Sequence, residues 1–249
     1  MTKCAVVTGA SSGIGKATVQ RLRQSGWDVV AVARREPQLA ALASETGCQT
    51  AVLDVTDLVA VESFADQLPA CDALINVAGG AFDADSVSTG SPESWLSAFR
   101  VNVMGTLAVT QALLPKLHHS DSATIVNVTS TAAYVNYENG GSYSAAKHAE
   151  HALTETLRLE LSGAPIRVIE IQPGMVHTDE FALNRFGGDA EKAAAVYEDV
   201  DRPLTAEDVA ECIGWASELP IHINVDRLTV RPLAQAAQHK VFRGPLFTT

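Results

Sequence analysis

Cysteine is scarce in this chain of 249 residues: Cys4, Cys48, Cys71 and Cys212 lie far apart, and no Cys-x-x-Cys pair occurs. That argues against a disulfide framework or a cysteine-built metal site and predicts free thiols in a reducing, cytoplasmic compartment. Basic residues are the minority charge, 18 Lys and Arg against 29 Asp and Glu, for a net charge of −11. An acidic body argues against nucleic acid and anionic membrane as partners, so an anionic ligand must be held by a local cluster of donors. Long apolar runs are missing as well: none reaches the ~18 residues of a membrane span. Internal repeats, low-complexity segments and linkers are also missing. The opening run through Val6 and Val7 reads as a core strand entering a glycine turn rather than as a signal peptide.

What is present is an ordinary globular composition, 47% hydrophobic and 19% charged, in a chain long enough to build a full core. Short apolar runs over residues 5–7, 29–33, 50–53, 73–76, 124–128, 167–171 and 228–230 predict strands. Stretches of helical period alternate with them, over 15–25, 57–68, 95–117, 143–161 and 206–218. Near-continuous apolar strands signal a parallel sheet buried on both faces, and strand–helix alternation makes it doubly wound. One domain over residues 1–249 is expected. Residues 177–203 break the pattern, with Gly187 and Gly188 in their middle and large apolar residues on either side. An insertion at the carboxyl end of a parallel strand is placed to cover a ligand. The plainer reading is a surface helical hairpin.

Thr8-Gly9-Ala10-Ser11-Ser12-Gly13-Ile14-Gly15 follows the first strand and opens the first helix. Glycines allow a tight turn and let backbone N–H groups approach phosphate, while the helix end adds partial positive charge. In an alternating α/β pattern this position predicts dinucleotide binding. The spacing Gly-x-x-x-Gly-x-Gly resembles the turn of the short-chain dehydrogenases/reductases. That resemblance implies an α/β, Rossmann-type doubly wound, mostly parallel seven-stranded sheet with helices on both faces. It implies an oxidoreductase with a nicotinamide cofactor held by Gly9, Ser11, Ser12, Gly13, Ile14 and Gly15. The second strand ends at Ala33, where NAD-preferring members carry Asp, and continues into Arg34 and Arg35. Two guanidiniums there suit a ribose 2′-phosphate, so NADP(H) is the expected cofactor, although the pair also fits a solvated helix start beside Glu36.

Further segments carry the same resemblance. Asp54-Val55 looks like the family's adenine-ring pair. Asn76-Val77-Ala78-Gly79 matches Asn-Asn-Ala-Gly except at Val77, leaving Asn76, Ala78 and Gly79 as implied cofactor contacts. Pro173-Gly174-Met175-Val176-His177-Thr178 resembles the loop that cradles the nicotinamide carboxamide, which implies roles for Pro173, Gly174, Val176 and Thr178. The match covers about residues 3–232, and residues 222–232 resemble the end of the NADP-dependent 3-hydroxy acid (serine-type) dehydrogenases. The tail from Gln238 to Thr249 carries no legible motif.

Tyr143 and Lys147 stand i, i+4 on one helical stretch, so phenol and ammonium can share a site. Free tyrosine, with a pKa near 10, is a poor base at neutral pH, and a neighbouring Lys⁺ favours the phenolate. Ser130 ends a strand 13 residues before Tyr143, the family's serine-to-tyrosine interval, and is placed to hydrogen-bond a substrate oxygen. Asn102 matches the asparagine of the family's proton relay, and it can also bond backbone within a buried helix. Asn102, Ser130, Tyr143 and Lys147 are the expected catalytic set, with Tyr143 and Lys147 also touching the cofactor.

Expected substrate contacts are Ser130, Ala132, Tyr137, Tyr143, Met175 and Phe181, with Thr131, Tyr134, Leu183 and Phe186 as further wall candidates. Each also fits simple core packing. Few charges in such a wall suggest a small ketone, aldehyde or 3-hydroxy acid. No metal is expected, because His118, His119, His148 and His151 lack convergent partners. His148 and His151 are expected to face solvent or a subunit contact, and His177 to lie nearest substrate. Family members form tetramers or dimers through the helices holding Asn102 and Tyr143, which implies a homo-oligomer here. The alternative functions are an NADP(H)-sensing regulatory protein without turnover, and an epimerase or dehydratase on a nucleotide sugar.

Overall fold

In the computed structural model, which describes residues 2–247, the apolar runs become seven strands of one sheet. They are β1 (Cys4–Thr8), β2 (Asp28–Ala33), β3 (Gln49–Val52), β4 (Ala73–Asn76), β5 (Ala123–Val128), β6 (Ile166–Pro173) and β7 (Arg227–Val230). The order is β3-β2-β1-β4-β5-β6-β7 and every neighbour pair in it is parallel. Parallel pairing forces each connection across a face of the sheet, and the chain reverses its direction of travel between β1 and β4. A reversal of this kind opens a crevice at the carboxyl ends of the two strands.

The connections are α1 (Gly13–Gln24), α2 (Glu36–Thr46), α3 (Leu58–Gln67), α4 (Pro92–Phe99), α5 (Thr106–His118), α6 (Gly141–Glu160), the short α7 (Phe181–Arg185) and α8 (Ala190–Ala195), and α9 (Ala206–Glu218). Side chains alternate across the sheet and build two cores. Val7, Ala31 and Ile169 meet Val19 and Leu22 of α1, Leu39 and Leu42 of α2, and Val209 and Ile213 of α9. Val6, Val32, Leu74 and Ile125 meet Val61 of α3, Leu113 and Leu117 of α5, and Leu161 behind α6. Burial on both faces is what makes β1, β2, β4 and β5 read as near-unbroken apolar runs, whereas the edge strands β3 and β7 are largely exposed.

The expected strands recur with ends shifted by two residues at most. The stretch 95–117 is not one helix: α4 passes into a π-helical turn, Arg100–Gly105, before α5 begins. The wider turn has a local cause. Asn102 Nδ2 donates to the Ala98 carbonyl at 2.8 Å, the acceptor that an α-helical amide at 102 would use. Gly105 closes the turn against Val55, where an added Cβ would lie 2.6 Å from Val55 Cγ2. Residues 177–203 hold α7 and α8 with Gly187 and Gly188, both at positive φ, between them. The tail is structured as far as it is described: β8 (Gln235–Ala237) and β9 (Lys240–Val241) form an antiparallel hairpin, and Thr248 and Thr249 lie outside the described residues.

The glycine turn is fixed by lack of room. Gly9 has φ +67°, and a Cβ on it would lie 2.8 Å from the Ala78 amide nitrogen, while one on Gly15 would overlap the Gly9 carbonyl oxygen. Backbone has nowhere to retreat here. Gly15→Ala should therefore cost about 1–3 kcal/mol, read as a lower urea midpoint at unchanged slope. An unchanged midpoint would contradict this packing.

Candidate active site

Three turns converge at the carboxyl edge of the sheet. The Thr8 hydroxyl at the end of β1 accepts from the Val77 and Ala78 amides, at 3.0 and 3.1 Å, and so ties the turn after β4 to the glycine turn. A Cβ on Gly13 would lie 3.4 Å from Thr178 Cγ2, which brings the loop after β6 to the start of α1. Ser12 precedes α1 without capping it, and no acidic residue occupies its first turn. The first N–H groups and the positive end of the helix dipole are thus left for another partner. Asn76 Nδ2 donates to Asn127 Oδ1 at 2.9 Å, and Val77, where the family pattern has Asn, packs into the core instead.

The two arginines behave differently. Arg34 is exposed and stands 3.9 Å from Asp54, whose carboxylate accepts from the Thr56 amide and hydroxyl. Arg35 turns back over the glycine turn, donating to Ser11 Oγ at 2.8 Å and Ser12 Oγ at 2.9 Å. It also pairs with Glu180 at 2.6 Å, and Ser12 donates to the same carboxylate at 2.9 Å. Glu180 heads the insertion, so this network pins residues 177–203 across the crevice mouth. The Arg35 hydrogen bond holds the Glu180 carboxyl below the usual carboxylate range, against a smaller opposing effect of burial.

Tyr143, in the first turn of α6, is buried with Ala81 and Ala132, and Tyr137 and Phe181 pack against this cluster. The Phe181 ring meets Tyr143 edge-on at 5.5 Å. Lys147 lies one turn along, its ammonium 5.8 Å from the Tyr143 ring centroid. Its Nζ donates to the Val128 carbonyl at 3.1 Å and to Glu150 at 2.7 Å, with both side chains buried. Burial is the largest effect and works to lower the Lys147 pKa, but Glu150, Tyr143 and Glu170 together outweigh it and hold the ammonium above its ordinary range. Ser130 is buried at the end of β5, accepts from the Ala132 amide at 3.1 Å and faces the Pro173 carbonyl at 3.5 Å. Asn102 donates to the Gly80 and Ala98 carbonyls and accepts from the Gly80 amide, and a Cβ on Gly79 would collide with its Oδ1.

The expected residues therefore gather at one edge, with some differences in detail. Met175 enters through its backbone, its amide donating to Gln235 Oε1 and its carbonyl accepting from Leu204. Gly174 is hemmed in by Gln235 and Arg231, and Val176 forms an isolated bridge with Leu204. His177 stacks on Tyr197, with centroids 4.3 Å apart, instead of joining the Tyr143 cluster. His151 does not face solvent: it bonds the buried Glu170 at 2.8 Å. A cavity of about 740 Å³ beside Trp95, Asn136 and His148 shares Tyr137 with the site and holds none of Asn102, Ser130, Tyr143 and Lys147. Among the described residues no three His, Cys, Asp or Glu side chains cluster to hold a metal, and no helix is long and apolar enough to cross a membrane.

Sequence reasoning missed Glu150, Glu180, Arg185, Gln235 and Gln238. Glu150 has a legible signal, since Tyr143, Lys147, Glu150 and Thr154 form one helical stripe that is buried throughout. Arg185 lies 5.0 Å over the Tyr137 ring, with a buried Nε–H that has no partner. Gln238 accepts from Thr131 at 2.7 Å, so the hairpin reaches the loop after β5.

The family model for short chain dehydrogenase matches residues 3–185. An oxidoreductase of Mycobacterium tuberculosis, named as uncharacterised, is 51% identical over 98% of this chain and 96% of its own. Sulfoacetaldehyde reductase 2 of Chromohalobacter salexigens is 39% identical over 95% of this chain and 96% of its own. The closed form of a serine dehydrogenase complexed with NADP⁺ superposes with a TM-score of 0.91 at 35% identity, covering 96% of this chain and 99% of that one.

The Arg35–Glu180 bridge makes a prediction with a definite sign. A carboxyl whose folded pKa is depressed adds stability above its unfolded value, near 4.3, and loses it as pH falls through the folded value. Hydrogen exchange over residues 178–186, corrected for intrinsic rates, should accelerate on acidification below that range in the wild type. Glu180→Gln should already be fast at neutral pH and lack the acid-side step. Because both partners are partly exposed, a double-mutant cycle with Arg35→Ala should give a coupling of only about 0.2–1 kcal/mol. Exchange indifferent to both pH and Glu180 would contradict the bridge.

Proposed function

The chain belongs to the short-chain dehydrogenase/reductase family, and on that premise we propose that it is an NADP(H)-dependent oxidoreductase acting on the carbonyl or alcohol carbon of a small substrate. The observation that carries this reading is the burial of Tyr143 in an apolar cluster with a cationic lysine one turn away. The uncapped α1 N–H groups at the crevice suit the pyrophosphate of a dinucleotide. Gly9 to Gly15 would hold the pyrophosphate, with Arg34 and Arg35 at the 2′-phosphate beside the uncharged Ala33. Asp54 and Val55 would face the adenine. Asn76, Ala78 and Gly79 would line the inner wall, with Pro173, Gly174, Val176 and Thr178 at the carboxamide. The NADP⁺ complex of the serine dehydrogenase supports the cofactor assignment.

When bound, NADP(H) supplies or takes up the hydride. Tyr143 gives its phenol proton to the substrate oxygen in reduction and removes it in oxidation. Ser130 donates a hydrogen bond to the same oxygen and steadies its developing charge. Lys147 uses two of its N–H groups on Val128 and Glu150 and keeps the third for the cofactor ribose. Asn102 locks the Gly80 backbone and keeps one lone pair of Oδ1 for a relay water.

Ala132, Tyr137 and Phe181 supply an apolar wall, and Arg185 adds a cation with an unpartnered N–H beside it. That combination suits a short carbonyl compound with an anionic end, a class that includes the sulfoacetaldehyde named for one relative. The insertion 177–203 then serves as a cover within a single domain. Exposed Leu96, Phe99 and Met104 beside α6 support a self-associating face, hence a dimer or tetramer. The free thiols support a cytoplasmic setting. The complete four-residue set argues against a sensor without turnover.

The test is NADPH loss over a panel of aldehydes, ketones and β-keto acids, with neutral and anionic members matched in size. Turnover should favour NADPH and an anionic carbonyl, and Tyr143→Phe should lower kcat at least ~100-fold with NADPH binding retained. Turnover that survives in the variant, or that favours NADH, would contradict the assignment.

A further inference from the structure

We propose that Glu150 is a positioning residue of this reaction: its carboxylate fixes the Lys147 ammonium in place and in charge, and so sets the pH at which Tyr143 gives up its proton. The proposal rests on the Tyr143 reading above. It starts from a buried pair, a lysine and a glutamate at i, i+3 in the middle of α6 with side chains only 5% and 1% exposed.

The surroundings decide what Glu150 is for. Its carboxylate takes a hydrogen bond from Lys147 at 2.7 Å and one from the Thr106 hydroxyl on α5 at 3.3 Å. Burial, with Glu170 on β6 adding to it, pushes the Glu150 carboxyl above its ordinary range, and Lys147 on its own helix is the charge that favours the ionised form. Glu170 is occupied elsewhere: it accepts from Thr129 at 2.6 Å and Gln172 at 2.9 Å, bonds His151 at 2.8 Å and lies 3.5 Å from Arg227. Lys147 is therefore the cation of Glu150, and Glu150 is the carboxylate of Lys147.

Two consequences follow for the phenol. A buried ammonium with only a carbonyl for company tends to lose its proton, and the carboxylate prevents that. The same negative charge offsets part of the field that Lys147 exerts at Tyr143, so less of that field reaches the phenol than from an unmasked cation. Glu150 thus keeps the lysine charged and moderates what that charge does. Tyr143 and Glu150 are seven residues apart, two helical turns or roughly 10 Å. A unit charge removed at that distance, at an effective dielectric constant near 20, moves a titration by about one pH unit.

The test pairs kinetics with spectroscopy. The pH dependence of kcat/KM for alcohol oxidation is compared between wild type and Glu150→Gln, which keeps shape and an acceptor but removes the charge. The limb assigned to Tyr143 should move to lower pH by about one unit where the ¹³Cε resonance of the variant shows Lys147 still charged, and to higher pH where the ammonium, without its carboxylate, has given up its proton. A limb that stays in place while kcat alone falls would overturn the proposal and leave Glu150 a packing residue. Independently of any variant, the ¹³Cε resonance of Lys147 in the wild-type protein is followed with pH. An ammonium that persists above pH 10 is expected, and one that titrates below pH 9 would overturn the proposal, whether or not Glu150→Gln folds. Turnover that survives in Tyr143→Phe would instead sink the catalytic reading and leave the lysine titration to judge the pair.

Discussion

The turn after β1 has to pass the turn after β4 in direct backbone contact, and much of the molecule is arranged around that approach. One hydroxyl, that of Thr8, collects the Val77 and Ala78 amides, and Gly9 lies so close to Ala78 that no side chain fits between them. The parallel sheet creates the need, since reversing direction between β1 and β4 leaves both carboxyl ends open at one edge. The result is a crevice floored by N–H groups and the uncapped end of α1 instead of by side chains. In a chain of net charge −11 this matters. Anion recognition has to be local, and the proposed site gathers one turn, one helix end and two arginines for it.

The opposite side of the edge solves a different problem, that of keeping charge in a dry place. Lys147, Glu150 and Glu170 are all buried, and an unpaired ion in such a position is strongly destabilising. Each is matched by a named partner: Lys147 by Glu150, and Glu170 by His151, Arg227 and two neutral donors. A hydrophobic replacement of similar volume would build an equally good core, so stability alone does not require these charges. Arg35 and Glu180 form a pair at the surface, where solvent weakens the attraction.

Most of the frame was legible because both of its signals are local. Unbroken apolar runs such as Val29 to Ala33 report burial on two faces, and glycine spacing reports a turn with no room for Cβ. Ser130, Tyr143 and Lys147 come together for the same reason, since they sit past a strand end or on the first turns of α6, while Asn102 arrives from the turn between α4 and α5. The π turn at Arg100–Gly105 was hidden because its residues keep an apolar helical pattern, and the cause is one amide of Asn102 reaching the Ala98 carbonyl. His151 was misread for a similar reason: a histidine three residues from another on a helix looks solvated until β6 brings Glu170 against it. Glu180, Gln235 and Gln238 act across long stretches of chain, and no local pattern marks them.

The claim on which the account turns is that this edge moves a hydride. The most direct measurement is mass analysis of the product formed from a carbonyl substrate and NADPH carrying deuterium at C4, with each of the two C4 positions labelled in turn. One label should appear in the product as a single deuterium on the former carbonyl carbon, while the other stays in the oxidised cofactor. Product without deuterium from either label would contradict direct transfer and, with it, the roles given to Tyr143, Ser130 and Lys147.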